Sequence, residues 1–191
     1  MRHLLALLCG LALSGCGEDS PALVETEPRS TWDIIQEDVF AVRCVSCHTT
    51  GTSFAEQSAL VLTADKAYRQ LVDQAPANEA AKADGLLRVS GRERGLPGLL
   101  KSYLWEKINA PDQEHFYGDH PYYGGQMPLG GKPLSHGELA FLRAWIEAGA
   151  PETGTVADAA LLADDSYYER PEFKPLPKPD NGIQFHLGPF D

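Results

Sequence analysis

Cys44-Val45-Ser46-Cys47-His48 places two thiols three positions apart and an imidazole directly after the second. At that spacing the three side chains can do a specific piece of chemistry. Each thiol can add across one vinyl group of a porphyrin, and two intervening residues let one turn of backbone reach both vinyls. The imidazole then lies under the ring, where one of its nitrogens can bond the iron. The motif therefore reads as an attachment site for one covalent haem c, with Cys44 and Cys47 holding the porphyrin and His48 the metal. Two other chemistries share these residues. They supply three zinc ligands, but a structural zinc site closes with four, and no second cysteine pair follows. A thioredoxin-like dithiol would need a βαβ pattern around it, and none is evident.

An iron held by one histidine either takes a second axial ligand or keeps an open position. Methionine thioether is the usual second ligand where the task is electron transfer, and it raises the reduction potential. The chain has two methionines, Met1 and Met127. Met127 sits in Gly124-Gly125-Gln126-Met127-Pro128, between a polar residue and a proline rather than on an apolar face, which suits a ligand better than a core filler. His115 and His120 share its loop and compete for the role. His136, at a helix start, and His186, in the tail, read as surface residues.

These groups must be positioned by helices. Ser30 or Thr31 can cap a first helix with Trp32, Ile35, Val39 and Val42 on its inner face and Phe40 widening it, running straight into Cys44. Asp33 suits its positive N-terminal end. Residues 49–58 read as a polar loop, and Leu60-Val61-Leu62 as a strand or an extended approach to the haem. Thr63 opens a helix to about Val72, with Tyr68, Leu71 and Val72 inward. Residues 76–84 carry no clear signal. Leu86 to Val89 is a short apolar piece followed by a turn from Gly91 to Gly95. Pro97 suits the first position of a helix continued by Leu100, Tyr103, Leu104 and Ile108. Residues 111–132 then form a long glycine- and proline-rich loop. Ser135-His136-Gly137-Glu138 fits a capping box, Leu139, Leu142, Trp145 and Ile146 line one helix face, and Gly149 and Pro151 supply the stop.

Residues 1–15 form a leader: Arg2, an apolar stretch from Leu4 to Leu13, then Leu13-Ser14-Gly15-Cys16. That quartet resembles the lipobox of bacterial lipoproteins, which implies cleavage before Cys16 and its lipidation. The apolar run is too short to span a bilayer, so the expected attachment is by lipid, which is stable when several acyl chains share one residue. By the same resemblance, Gly17 in place of aspartate leans toward the outer membrane. Residues 16–29 read as a tether. Cys9 leaves with the leader, so no cysteine is left over for a disulfide. The formal charge is −11, deepened by one when Arg2 is removed. Such acidity excludes nucleic-acid binding through phosphates and suits a basic face on a redox partner.

The order of helix, CxxCH, middle helices, Met-Pro loop and last helix resembles a class I cytochrome c domain. More narrowly, Met127-Pro128-Leu129-Gly130-Gly131, Leu134-Ser135 and Leu142-Arg143-Ala144-Trp145-Ile146-Glu147-Ala148-Gly149-Ala150 resemble planctomycete- and myxobacterial-type cytochrome c domains. The resemblance covers residues 30–151. It implies a mainly α fold around one covalently bound haem, with first and last helices crossing through Val39, Phe40, Leu142 and Trp145. Thr49 departs from the glycine common after the histidine. Residues 152–191 read as an acid- and proline-rich spacer ending in a strand-like Ile183-Gln184-Phe185-His186-Leu187. The expected function is single-electron carriage in the periplasm between redox partner proteins, from a lipid anchor in the bilayer and without catalysis. The alternatives are an electron-delivery module of a larger oxidoreductase and a haem sensor or enzyme with a displaceable sixth ligand.

Overall fold

A computed structural model describes residues 28–168; the leader, Cys16, His186 and the strand-like segment lie outside them. The described chain is mainly helical with almost no strand, as the spacing of its apolar residues predicts.

The first helix, α1, is composite: Thr31–Ile34 is α-helical, Ile35–Phe40 π-helical and Ala41–Arg43 α-helical again. Its start is a full capping box, with Ser30 accepting from the Asp33 amide and Asp33 accepting from the Ser30 amide. The π turns take up an extra residue, which rotates everything after Phe40 about the axis. Val42, expected to face inward, is therefore 66% exposed, while Trp32, Ile35, Val39 and Phe40 are buried as expected. The chain leaves α1 with the amides of both Cys44 and Val45 donating to the Phe40 carbonyl at 2.9 Å.

Short helices follow. α2 (Ser53–Ser58) lies inside the stretch expected as a loop, because the Thr52 hydroxyl accepts from the Ala55 amide and caps it. α3 (Ala67–Leu71) begins later than Thr63, whose hydroxyl bonds the Asp65 carboxylate instead of capping. α4 (Glu79–Ala83) fills the unassigned stretch under an Asn78 cap. The helix expected from Pro97 to Ile108 is two, α5 (Leu96–Leu100) and α6 (Tyr103–Ile108). Ser102 is drawn into an isolated parallel bridge with Leu87, and its hydroxyl donates to the Gly98 carbonyl and accepts from the Ser90 amide. That break leaves Leu100 54% exposed rather than inward. The expected long loop contains α7 (Gln113–Asp119), capped by Asp112. α8 (His136–Glu147) has the expected capping box between Ser135 and Glu138.

One apolar cluster gathers Trp32, Ile35, Val39 and Phe40 of α1 with Leu139, Leu142, Trp145 and Ile146 of α8. Trp32 stacks on Trp145 with centroids 5.3 Å apart, and the Trp145 indole donates to the Pro151 carbonyl at 2.9 Å. A smaller cluster holds Ala81, Ala110, Phe116 and Tyr123.

The segment expected as a spacer from Glu152 onward is docked as far as Tyr168. Gly154 accepts from the Thr31 amide, and the Thr31 hydroxyl accepts from the amides of Val156 and Ala157. After a 3₁₀ turn at Ala159–Ala163, the Asp164 and Ser166 carbonyls accept from Gly137 and His136 at the start of α8. These bonds satisfy amide donors that a helix start leaves without intrahelical partners. A Cβ at Gly137 would collide with the Leu161 and Asp164 carbonyl oxygens.

Candidate haem site

The motif is a single turn of backbone. The Cys44 carbonyl accepts from the amides of Cys47, at 3.2 Å, and His48, at 3.0 Å. Both thiols are half-buried and unbridged. Burial pushes the Cys44 thiol up to about 12, with a further contribution from the Glu138 charge.

His48 is buried. Its Nδ1 lies 3.3 Å from the Leu60 carbonyl oxygen and 3.4 Å from the Ser58 hydroxyl. A carbonyl only accepts, so Nδ1 carries the hydrogen and Nε2 keeps the lone pair that a metal needs. Burial lowers the imidazole pKa; the Leu60 bond opposes this and the Lys107 charge adds to it. The ring is therefore neutral at pH 7.

Leu60 is itself fixed on both sides. The Leu62 amide donates to the His48 carbonyl at 2.8 Å, and the Leu62 carbonyl accepts from buried Gln36 of α1 at 3.0 Å. The Val61 amide donates to Gln70 at 2.7 Å, and Arg88 donates to the Ser58 and Ala59 carbonyls. The Leu60-Val61-Leu62 run is thus an extended approach rather than a strand, and its work is to aim one carbonyl.

Met127 is half-buried and packs against the same apolar cluster that receives Cys44, Val45 and Leu60. Its amide donates to the Lys107 carbonyl of α6 at 2.8 Å. It also borders a cavity of about 530 Å³ with Gln113, Gln126, Lys132, Tyr167 and Tyr168. The two competing histidines are engaged elsewhere. His120 Nε2 is 2.9 Å from the Glu106 carboxylate, and its ring stacks on Tyr123 of the smaller cluster. His115 is exposed, with Nδ1 2.8 Å from Asp112. His136 meets the Ser166 hydroxyl at 3.0 Å.

Haem fits these residues on two observations. The His48 tautomer presents Nε2. In addition, Gln113 Nε2, a buried donor on a residue lining the Met127 cavity, has no hydrogen-bond partner, so an acceptor such as a porphyrin carboxylate would satisfy it. Three residues near the site carried no motif in the sequence. Arg43 pairs with Glu138 at 2.9 Å and donates to the Tyr167 hydroxyl at 3.2 Å, tying the residue before Cys44 to α8 and to the docked tail. Lys132 lies 3.5 Å over the Tyr167 ring. Lys107 is buried, a rare state for lysine. Only a charged residue at an apolar-face position of α6 hinted at it.

Comparisons of the chain with family models, with curated proteins and with solved structures find no match. The functional reading therefore stands on the residues just described. Among them, no three His, Cys, Asp or Glu side chains converge as a metal-binding group, and no described helix is long and apolar enough to cross a membrane.

Proposed function

We propose that this chain is a lipid-anchored, monohaem c-type cytochrome that carries single electrons on the periplasmic side of a bacterial envelope. The observation that carries the reading is the His48–Leu60 contact within a Cys-x-x-Cys-His turn, because it leaves the lone pair on Nε2 of a histidine that directly follows two half-buried thiols. Haem, when bound, supplies one-electron exchange between ferric and ferrous iron.

The chain's own part is to hold, orient and exclude water. Cys44 and Cys47 would fix the porphyrin through thioether bonds. His48 would hold the iron through Nε2 and keep its proton on Nδ1, where the Leu60 carbonyl restrains both tautomer and ring rotation. Cys44 packs partly buried against the apolar cluster around Trp145, which would limit water on that side. Met127 would hold the iron through a soft sulfur that favours the ferrous state. Cys16, outside the described residues, would carry the lipid.

Acid extraction under denaturing conditions tests attachment. Haem should stay with the polypeptide, and Cys44→Ala or Cys47→Ala should weaken its incorporation. Free extraction of haem, or stoichiometric zinc in the purified protein, would sink the proposal. Cys16→Ser should release the protein from membranes with its spectrum unchanged. The cavity beside Met127 favours one second reading, a haem sensor or enzyme whose sixth ligand is displaced by a small molecule. Ready carbon monoxide binding by the unmodified ferrous protein would select it.

A further inference from the structure

Lys107 is 8% exposed, and no described carboxylate lies within ion-pair distance of it. A buried ammonium without a counter-charge is costly unless oriented dipoles offset it. Here they do. Nζ donates to the Tyr123 carbonyl at 2.9 Å and, closer still, to the Gly125 carbonyl. The lysine's own backbone carbonyl accepts from the Met127 amide at 2.8 Å. One residue of α6 thus grips the segment from Tyr123 to Met127 at three points.

The segment is shaped for that grip. Gly124 turns the chain at φ +78°, a region that disfavours side chains, so that carbonyls on both sides of it meet one nitrogen. Met127 lies in a stretch with glycines at 124, 125, 130 and 131, where the other ties fall on Tyr123, from Tyr103, and on Gln126, from Gln113 and Ala110. Ammonium-to-carbonyl bonds are charge-assisted and stronger than neutral ones, which suits them to pinning such a loop.

We propose that Lys107 is the positioning residue for the second axial ligand, docking the Tyr123–Met127 segment so that the Met127 sulfur is held in one place. This rests on the reading of Met127 as an iron ligand. The rival is a lysine that only stabilises the fold.

The test uses the full haem-loaded chain and Lys107→Met, which keeps an apolar stem beside Tyr103 and Phe116 while removing the donors. In the ferric protein the weak sulfur-to-iron charge-transfer band should fade. Cyanide should bind at least about tenfold faster, the factor expected from losing even one of the two charged hydrogen bonds. Haem should stay covalently attached, and amide exchange at Met127 should quicken. If Lys107→Met does not fold, Lys107→Gln carries the same comparison, with a smaller loss because an amide can still reach one carbonyl. Unchanged band and unchanged cyanide rate in the folded variants would overturn the proposal, even with a lower melting temperature. Absence of the band from the unmodified protein is a different failure. Met127 would then not be the ligand, and the role given to Lys107 would fall. The carrier reading would survive at a lower potential if the site stays closed to carbon monoxide, with His115 or His120 as the ligand.

Discussion

The His48 side and the Met127 side of the site are built in opposite ways. Around His48, the turn from Cys44 to His48 closes on the Cys44 carbonyl, and the carbonyl that aims the imidazole comes from Leu60, twelve residues on. The turn itself closes within five residues, while Gln36, Gln70 and Arg88 hold the 58–62 segment that carries Leu60. Around Met127 the ties come from side chains 13 to 18 residues away: Lys107 reaches across to Tyr123 and Gly125, and Gln113 accepts from the Gln126 amide at 3.0 Å. Local closure is entropically cheap and resists single substitutions, whereas a glycine-rich loop pinned by a few distant side chains is ordered only while those pins hold. The ligand expected to stay is thus on the locally closed side, and the ligand expected to be exchangeable is on the pinned side.

The largest effect should come from breaking the local side at its centre. His48→Ala should remove the iron's proximal ligand and most of the folded protein with it, read as loss of haem-stained product and of helical circular dichroism. A stable, haem-bearing His48→Ala protein would mean that the local side is not the anchor.

Trp145→Ala tests the platform beneath that side. Trp145 is fully buried and stacks on Trp32 at the start of the helix that delivers Cys44. Truncating it should cost about 3–5 kcal/mol, a large share of a small domain's stability. Denaturant titration giving a loss below about 1 kcal/mol would separate α1 from α8 energetically, against the stacking.

Met127→Ala addresses the pinned side. It should leave haem attached and cost at most about 2 kcal/mol of stability, since the side chain is only half-buried. Its effect belongs to the iron: the sulfur-to-iron band should vanish, the potential fall, and carbon monoxide bind the ferrous form. Met127→His should keep the site closed at a lower potential. A closed site without the band in the unmodified protein would hand the ligand role to His115 or His120.

The smallest effect should come from His115→Ala. His115 and Asp112 form an exposed pair, in which Asp112 raises the histidine's pKa above 6.5 and His115 lowers the aspartate's below 3.8. The histidine's contribution is complete below pH 6.5 and lost as pH rises through its raised value. The aspartate's is present above pH 3.8 and lost as pH falls through its lowered value. His115→Ala should therefore remove a shallow rise in melting temperature between those limits and leave spectrum and potential untouched. A changed spectrum would put His115 at the iron.

The residues proposed to do the chemistry stand out in the sequence because their signals are local. Two thiols and an imidazole within five positions need only one turn of backbone, and Ser135 with Glu138 caps α8 through bonds three residues apart. The face of α8 and the buried Trp32, Ile35, Val39 and Phe40 follow from apolar periodicity alone. Tertiary structure decided what periodicity cannot carry. The π turns in α1 put Val42 outside because one extra residue shifts the phase of every later side chain. Ser102 ended a helix that its neighbours would have continued, because Leu87, distant in sequence, offered its backbone a bridge. Thr52, Asn78 and Asp112 opened short helices whose few turns are too brief for a periodic signal. The partners of Lys107, the reach of Gln36 and Arg88 to the segment that carries Leu60, and the tail docked on Gly137 depend on contacts between segments far apart in the chain. Single residue types do not encode such contacts, so only the packed molecule could choose them.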